Sequence, residues 1–155
     1  MSQLLTRRNV LALIPLSAFG VAWRAVEAQA KDPITIYKDP NCGCCSKWVE
    51  HMEASGFKAT VISGDMGPVK ARFKVPANLG SCHTSIIQGY VIEGHVPAAD
   101  IRKFLAAKPK GLIGLTIPGM PQSAPGMDQK PFQPYDVLTF DAAGKTTVYA
   151  RHDKG

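Results

Sequence analysis

The chain has 155 residues, of which 45% are hydrophobic and 19% are charged, and this composition suits one globular domain with short appendages. Its formal net charge is +6, but the basic residues are scattered rather than gathered into a run with interleaved aromatic residues. This distribution argues against a nucleic acid as a partner.

The first 30 residues have the features of a secretory signal. A charged start at Arg7-Arg8 precedes an uncharged apolar stretch from Val10 to Trp23, and the small residues Ala28 and Ala30, on either side of Gln29, form a cleavage site. The apolar stretch is too short and wrongly flanked for a membrane span. We therefore expect cleavage after residue 30 and a periplasmic domain, residues 31–155, that does not associate with the membrane. The arginine pair is compatible with the twin-arginine route for folded proteins and with an ordinary signal.

The domain opens with a strand, a turn and a helix. Ile34 to Tyr37 is an apolar run typical of a buried strand. Residues 39–46, here called the cysteine turn, contain three of the chain's four cysteines. A helix is predicted from the cysteines to Ser55, because apolar residues recur there at i, i+3, i+4 and i+7. Gly56 provides a left-handed cap.

The same periodicities and turn signals predict the next five elements. They are a strand at 57–62, a short helix at 67–74, two strands at 84–87 and 90–92, and a helix at 98–108. With the first strand and helix, they give an α/β fold, a thioredoxin-like β-α-β-α-β-β-α sandwich whose first crossover is right-handed.

Residues 111–134 are rich in glycine, proline and methionine. This composition predicts a loop without regular structure, and loops of this length are often functional. Met120 and Met127 occupy matching Pro-Gly-Met frames within it. A β-hairpin is predicted to follow, with strands at 135–140 and 145–150.

Three cysteines before a helix favour thiol chemistry. The free N–H groups and the partial positive charge of a helix N-terminus stabilise thiolates, which attack disulfides and bind soft metals. A disulfide framework would instead distribute its cysteines among distant loops, and a bridge between the neighbours Cys44 and Cys45 would be strained.

The fourth cysteine lies in Ser81-Cys82-His83, just before the third strand. In a thioredoxin-like order this loop lies beside the start of the first helix, where thioredoxins place a cis-proline. We therefore expect all four cysteines and His83 to meet at one end of the sheet. The alternative is that Cys82 is a small buried apolar residue.

The spacing within the turn favours several soft ions over one tetrahedral zinc. Cys44 and Cys45 are adjacent, so their side chains diverge by about 100° on a helix, and one ion can hardly take both together with Cys42. Cu(I) accepts two or three sulfur ligands, and bridging thiolates over several Cu(I) ions would use all four cysteines.

Methionine and histidine extend this donor set. The thioethers of Met120 and Met127 suit Cu(I), although methionines also fill gaps in loops. His83 and His95 suit an oxidised copper, although a structural role is the more usual one for His95. The two remaining histidines of the domain, His51 and His152, are interpreted as solvated surface.

Four segments resemble the CopG-like family, periplasmic thioredoxin-fold copper-resistance proteins formerly classed as a domain of unknown function. The resemblance covers roughly residues 33–150 and rests on these segments: Tyr37 to Cys45, Pro76 to Thr84, Tyr90 to Pro97 and Gly119 to Met127. It implies a multinuclear Cu(I) cluster on Cys42, Cys44, Cys45 and Cys82. It also implies copper redox conversion or copper handling during detoxification.

The leading hypothesis is a periplasmic copper-binding protein that cycles between Cu(I) and Cu(II) or passes copper to a chaperone or an exporter. Whether such a protein is an enzyme, as a copper oxidoreductase, stays open at this point. A rival hypothesis is a thiol–disulfide oxidoreductase, in which Cys42 attacks a substrate disulfide and Cys45 resolves the intermediate. A third is a domain with a structural zinc.

Overall fold

The computed structural model describes residues 32–154, and the predicted signal sequence lies outside them. They form a mixed α/β fold with one seven-stranded sheet and three α-helices. In chain order the elements are β1 Pro33–Lys38, α1 Gly43–Ala54, β2 Lys58–Ser63, α2 Met66–Arg72, a 3₁₀ turn Ala77–Leu79, β3 His83–Ile87, β4 Tyr90–Glu93, α3 Ala98–Ala107, β5 Leu112–Thr116, β6 Tyr135–Asp141 and β7 Thr146–His152. Among the helices described, none has the length and apolar character needed to cross a membrane.

The strands lie side by side in the order β2-β1-β3-β4-β5-β6-β7. Strands β1 and β2 are parallel, β3 is antiparallel to both β1 and β4, and β5 is parallel to β4. Strands β6 and β7 complete the sheet as an antiparallel hairpin. The first seven strands and helices follow each other in the predicted order, and the predicted C-terminal hairpin is confirmed.

Alternate strand residues supply two apolar layers, one on each face of the sheet. The larger cluster joins β-strand residues such as Ile36 and Ile92 to Trp48 of α1 and Phe104 of α3. The smaller one includes Leu79, Val91 and Phe140, with Phe73 after α2 packed against it. Helices α1 and α3 therefore cover one face, and α2 lies over the other.

Helix α1 has the predicted amphipathic pattern. Its buried residues are Cys45, Trp48, Val49 and Met52. The indole N–H of Trp48 donates to the carbonyl of Val96, 3.0 Å away. Because Val96 lies just after β4, this bond fixes the cysteine-bearing end of α1 against the end of the sheet that carries the site.

The expectation that residues 111–134 lack regular structure is wrong for their first part, where β5 pairs with β4 and β6. Gly114 explains the error, because a side-chain carbon there would lie 1.7 Å from the carbonyl oxygen of Val91. Only glycine allows so close an approach of two backbones. The glycine that lowers strand propensity in the sequence is thus a packing requirement of the strand.

The remaining residues, 117–134, contain no helix or strand, as predicted. We call them the methionine loop. Short turns stabilise it, with Met127 N donating to Ala124 O at 2.9 Å and Gln129 N donating to Gln122 O at 2.7 Å. Ala124 is fully buried, so the loop packs onto the domain.

Candidate metal centre

The cysteine turn is set by local hydrogen bonds. The Asp39 carboxylate accepts from Asn41 N at 2.7 Å, and the Asp39 carbonyl accepts from Cys42 N at 3.1 Å. Cys42 is the N-cap residue of α1. Cys44 and Cys45 consequently lie in the first helical turn, where backbone N–H groups have no partner within the helix.

The structure brings the four cysteine sulfurs together. Cys42 and Cys45 are joined in a disulfide, while Cys44 and Cys82 are free thiols. The Cys44 sulfur lies 3.5 Å from that of Cys42 and 4.0 Å from that of Cys82. All four sulfurs lie within 4.8 Å of one another. The predicted approach of Cys82 to the cysteine turn is confirmed, and the role of these sulfurs as metal ligands stays a prediction.

A buried carboxylate holds the backbone before Cys82 and a side chain after it. Glu93, at the end of β4, is fully buried and accepts from Ser81 N and from Thr84 Oγ1, each at 2.6 Å. Lys70 of α2 forms an ion pair with the same carboxylate. Burial raises the pKa of Glu93, while Lys70 and the hydrogen bonds act in the opposite direction. The segment Gly80 to His83, here called the Cys82 bend, is therefore fixed by contacts with α2 and β4.

His95 lies against Cys82, with its Nε2 3.5 Å from the sulfur. Its Nδ1 is 2.7 Å from the carbonyl oxygen of Pro125, which can only accept, so Nδ1 carries the hydrogen. Burial lowers the pKa of His95, which favours the neutral ring. The Nε2 of that ring then accepts a hydrogen bond from the Cys82 thiol.

His83 is completely buried beside the disulfide. Its ring centroid lies 4.4 Å from that of Trp48 and 5.0 Å from that of His95. Neither ring nitrogen has a hydrogen-bond partner within residues 32–154. Burial holds the pKa of His83 well below its usual value, so the ring is neutral. Cys45, His83 and His95 form a second group whose ligand atoms lie within 4.8 Å of one another.

Sequence reasoning gave His95 a structural role as the more usual one, although the β3–β4 hairpin contains the signal that places it beside Cys82. The register pairs Thr84 with Glu93, so the residues just before β3 and just after β4 must be neighbours. Cys82 and His95 occupy those two places.

The other two histidines lie away from the cysteines and contact the fold, so their interpretation as solvated surface is wrong. His51 Nε2 accepts from Ala98 N at 3.3 Å at the start of α3. His152 bonds to Asp100 at 2.8 Å and stacks on Tyr135. Both positions are half-buried.

The free thiol of Cys82 has a higher pKa than an ordinary cysteine. Burial, followed by the neighbouring Cys44, raises the pKa of Cys82 to about 11. Without a cation, Cys82 is therefore protonated at neutral pH. A bound soft cation would displace that proton, because the thiolate is the form that binds metals.

Each Pro-Gly-Met frame of the methionine loop contacts one of the two cysteine segments. In the first frame, Gly119 N donates to Gly80 O at 3.2 Å, and Ser81 Oγ donates to the Gly119 carbonyl. In the second, a side-chain carbon at Gly126 would lie 2.8 Å from Trp48 N and 3.1 Å from Cys44 O. The loop thus joins the Cys82 bend to the first turns of α1.

The two methionines of these frames differ in exposure. The side chain of Met120 is 56% exposed, whereas Met127 is half-buried. The backbone contacts of the loop place both frames next to the cysteines, and a thioether role for either residue stays a prediction.

Comparisons with known proteins identify one family and two solved structures that are similar to this chain. A family described as "Protein of unknown function, DUF411" matches residues 79–127, from the 3₁₀ turn to Met127. A solved structure named "Copper resistance protein copG", form 1, is 42% identical, covers 80% of this chain and 99% of its own, and has a TM-score of 0.74. Form 2 is 43% identical, with coverages of 79% and 98% and a TM-score of 0.73. No curated protein matches the chain.

Proposed function

The chain belongs to the family of the copper resistance protein CopG, and from this premise we propose that it is a periplasmic copper-binding protein for copper resistance. Copper is its cargo, held as Cu(I) in a multinuclear cysteine-thiolate cluster. The observation that carries the proposal is the mutual approach of the sulfurs of Cys42, Cys44, Cys45 and Cys82 to within 4.8 Å.

The chemistry of the donor set fits this cargo. Thiolates are soft ligands that select Cu(I), and four sulfurs so close together can bridge more than one ion. The Cys42–Cys45 disulfide has to be reduced before all four sulfurs become available. Reduction of this disulfide is therefore part of the proposal.

His83 is proposed as a further ligand. A buried ring nitrogen without a hydrogen-bond partner costs about 1–3 kcal/mol, which coordination to a metal would offset. Its position in one group with Cys45 and His95 supports this assignment, and it adds His95 to the candidate ligands. Imidazole nitrogen also binds Cu(II), so the mixed donor set supports interconversion of Cu(I) and Cu(II) at this site.

Met120 and Met127 are proposed as thioether ligands that assist entry and release of Cu(I). The anchoring of their frames on the two cysteine segments supports this role. Exposure of Met120 supports contact with a periplasmic chaperone or an exporter that gives or receives copper.

The periplasmic location and the thioredoxin-like topology are part of the same proposal. The signal-like residues 1–30 support export to the periplasm and cleavage. A thioredoxin-like topology for β1 to α3 is supported by the parallel β1–β2 pair and the antiparallel β3–β4 hairpin beside it.

Anaerobic reconstitution tests the proposal. The protein, reduced with a phosphine and free of metal, is titrated with Cu(I) against a chromophoric Cu(I) chelator, and bound metal is counted by element analysis. We expect at least two Cu(I) ions per chain. Fewer than two would contradict the multinuclear cluster. The same protein with its Cys42–Cys45 disulfide intact is the control and should bind fewer ions.

The disulfide also favours a second candidate function, thiol–disulfide exchange through Cys42 and Cys45. Cys42 is partly accessible at the N-cap while Cys45 is fully buried, which is the arrangement of an attacking and a resolving cysteine. Reduction of insulin by the metal-free protein would support this function, particularly if a Cys44→Ser variant retained the activity. If the metal-free protein does not reduce insulin, only the copper proposal remains.

A further inference from the structure

The disulfide in the cysteine turn leaves two thiols side by side. The chain has four cysteines, and with Cys42 bonded to Cys45 the remaining two are Cys44 and Cys82. Their sulfurs are 4.0 Å apart, and each cysteine is half-buried. Each is therefore the only free thiol that the other can reach within the chain.

We propose that Cys44 and Cys82 form a second redox-active dithiol, so that the metal-free site exchanges electrons in two successive two-electron steps. The site then has three states. The reduced state has four thiols, the half-oxidised state has the Cys42–Cys45 disulfide and two thiols, and the oxidised state has two disulfides. The structure corresponds to the middle state.

The geometry requires only a small movement. A disulfide has sulfurs about 2 Å apart, so the two sulfurs must approach by roughly 2 Å. Glu93 accepts from the backbone N–H of Ser81 and from the side-chain hydroxyl of Thr84, on either side of Cys82, so rotation of the Cys82 side chain is the main adjustment. Cys44 is in the first turn of α1, next to the solvent-accessible edge of the site.

A competing exchange within the turn is less favourable. The Cys44 sulfur is 3.5 Å from that of Cys42, so attack on the existing disulfide is geometrically possible. It would release the sulfur of Cys45, which is completely buried and lies within 4.8 Å of a ring nitrogen of His83. A thiolate leaves poorly into a fully buried position, so the more accessible pair, Cys44 and Cys82, is oxidised instead.

The proposed step balances with a small-molecule disulfide as oxidant. One thiolate of the Cys44–Cys82 pair attacks the oxidant, forms a mixed disulfide and releases the first thiol. The other thiolate of the pair attacks the protein sulfur of that mixed disulfide and releases the second thiol. Two protein thiols lose two electrons and two protons, and the oxidant becomes two thiols.

The consequence for copper rests on the proposed function. If all four cysteines bind Cu(I), the number of available thiolates falls from four to two to none as the site is oxidised. The redox state of the surrounding compartment would then set copper capacity in steps. The redox couple itself is a property of the metal-free protein, so its test does not depend on copper binding.

The test is a redox titration of the metal-free protein in buffers of reduced and oxidised glutathione. Samples are quenched with acid, free thiols are alkylated, and labelled cysteines are counted by intact mass. We expect plateaus at four, two and zero labelled cysteines. Trypsin cleaves after residues 38, 47, 74 and 102, so the cysteine turn lies in peptide 39–47 and Cys82 in peptide 75–102. In the most oxidised sample these two peptides should be joined by a disulfide.

Variants identify the partners. In Cys44→Ser the joined peptides should disappear, while the first couple, between Cys42 and Cys45, persists. Cys82→Ala should also abolish the joined peptides while retaining the Cys42–Cys45 couple, and it replaces Cys44→Ser as the test if the serine variant does not fold. The inference is overturned if two cysteines stay labelled under the most oxidising conditions, or if the peptides remain joined in Cys44→Ser. If the protein binds several Cu(I) ions but shows only the Cys42–Cys45 couple, the inference of a second dithiol is wrong and the proposed copper function stands.

Discussion

The cysteine turn and the Cys82 bend bring sulfur to the same place, but they are held in different ways. The turn is shaped by neighbours in sequence, with Asp39 bonding to the two residues that follow Pro40 and the helix beginning at the cysteines. The bend is held by distant residues, among them Lys70 of α2, Glu93 of β4 and Gly119 of the methionine loop. Half of the site is therefore a local structure, and the other half depends on the whole fold.

The largest expected difference between the two segments is in stability. Replacing Glu93 by alanine leaves Lys70, Ser81 N and Thr84 Oγ1 without their buried acceptor. Loss of one partner of a buried ion pair costs about 3–5 kcal/mol. The Asp39→Ala variant removes an exposed local acceptor and should cost less than about 1 kcal/mol. Urea unfolding of both variants, followed by Trp fluorescence, measures the difference.

Glu93→Gln refines this comparison, because it keeps the side-chain volume and one acceptor for Ser81. It should fall between the wild type and Glu93→Ala in free energy of unfolding. If Glu93→Ala and Asp39→Ala cost the same, the Cys82 bend does not depend on the buried carboxylate.

A second comparison concerns thiol reactivity. Because burial and Cys44 raise the pKa of Cys82 to about 11, its alkylation rate should keep rising with pH until about that value. At pH 8 its thiolate fraction should be roughly 200-fold lower than that of an exposed cysteine with an ordinary pKa. The pH profile of iodoacetamide labelling, read by mass spectrometry of peptide 75–102 in the half-oxidised protein, checks this. A short peptide spanning Cys82 is the control, and an identical midpoint in protein and peptide would be inconsistent with the buried environment.

The smallest expected difference between matched variants is at the methionine loop, where the two Pro-Gly-Met frames provide the pair. Gly119 and Gly126 both have positive φ, +70° and +84°, so alanine costs each about 1–2 kcal/mol of backbone strain. Only Gly126 also lies against Trp48 and Cys44, and overpacking there should add about 1–3 kcal/mol. Urea unfolding of Gly126→Ala and Gly119→Ala measures the additional cost. Equal losses would show that the second frame does not pack tightly on α1.

The difference between local and long-range contacts also explains which features could be predicted from the sequence. The strand before the cysteines, the amphipathic α1 and the β3–β4 hairpin are visible because hydrophobic periodicity and turn residues act over a few positions. The meeting of Cys82 with the cysteine turn follows from the order of these elements. The first half of the site and its general position could therefore be predicted.

The missed features depend on contacts between distant residues. Strand β5 exists because Gly114 fits against Val91, which no local propensity reports. The contact between Cys82 and His95 requires the hairpin register, and the support from Glu93 requires its ion pair with Lys70 of α2. The redox state of four crowded cysteines is also not encoded in their spacing, which suits both thiolates and a disulfide.

The central claim is that the four cysteine sulfurs together hold several copper ions. Copper K-edge X-ray absorption of the reduced, Cu(I)-loaded protein tests it most directly. We expect copper with sulfur ligands and a copper–copper scattering contribution that disappears in Cys82→Ser. Isolated copper ions with nitrogen or oxygen ligands and no copper–copper scattering would contradict the account.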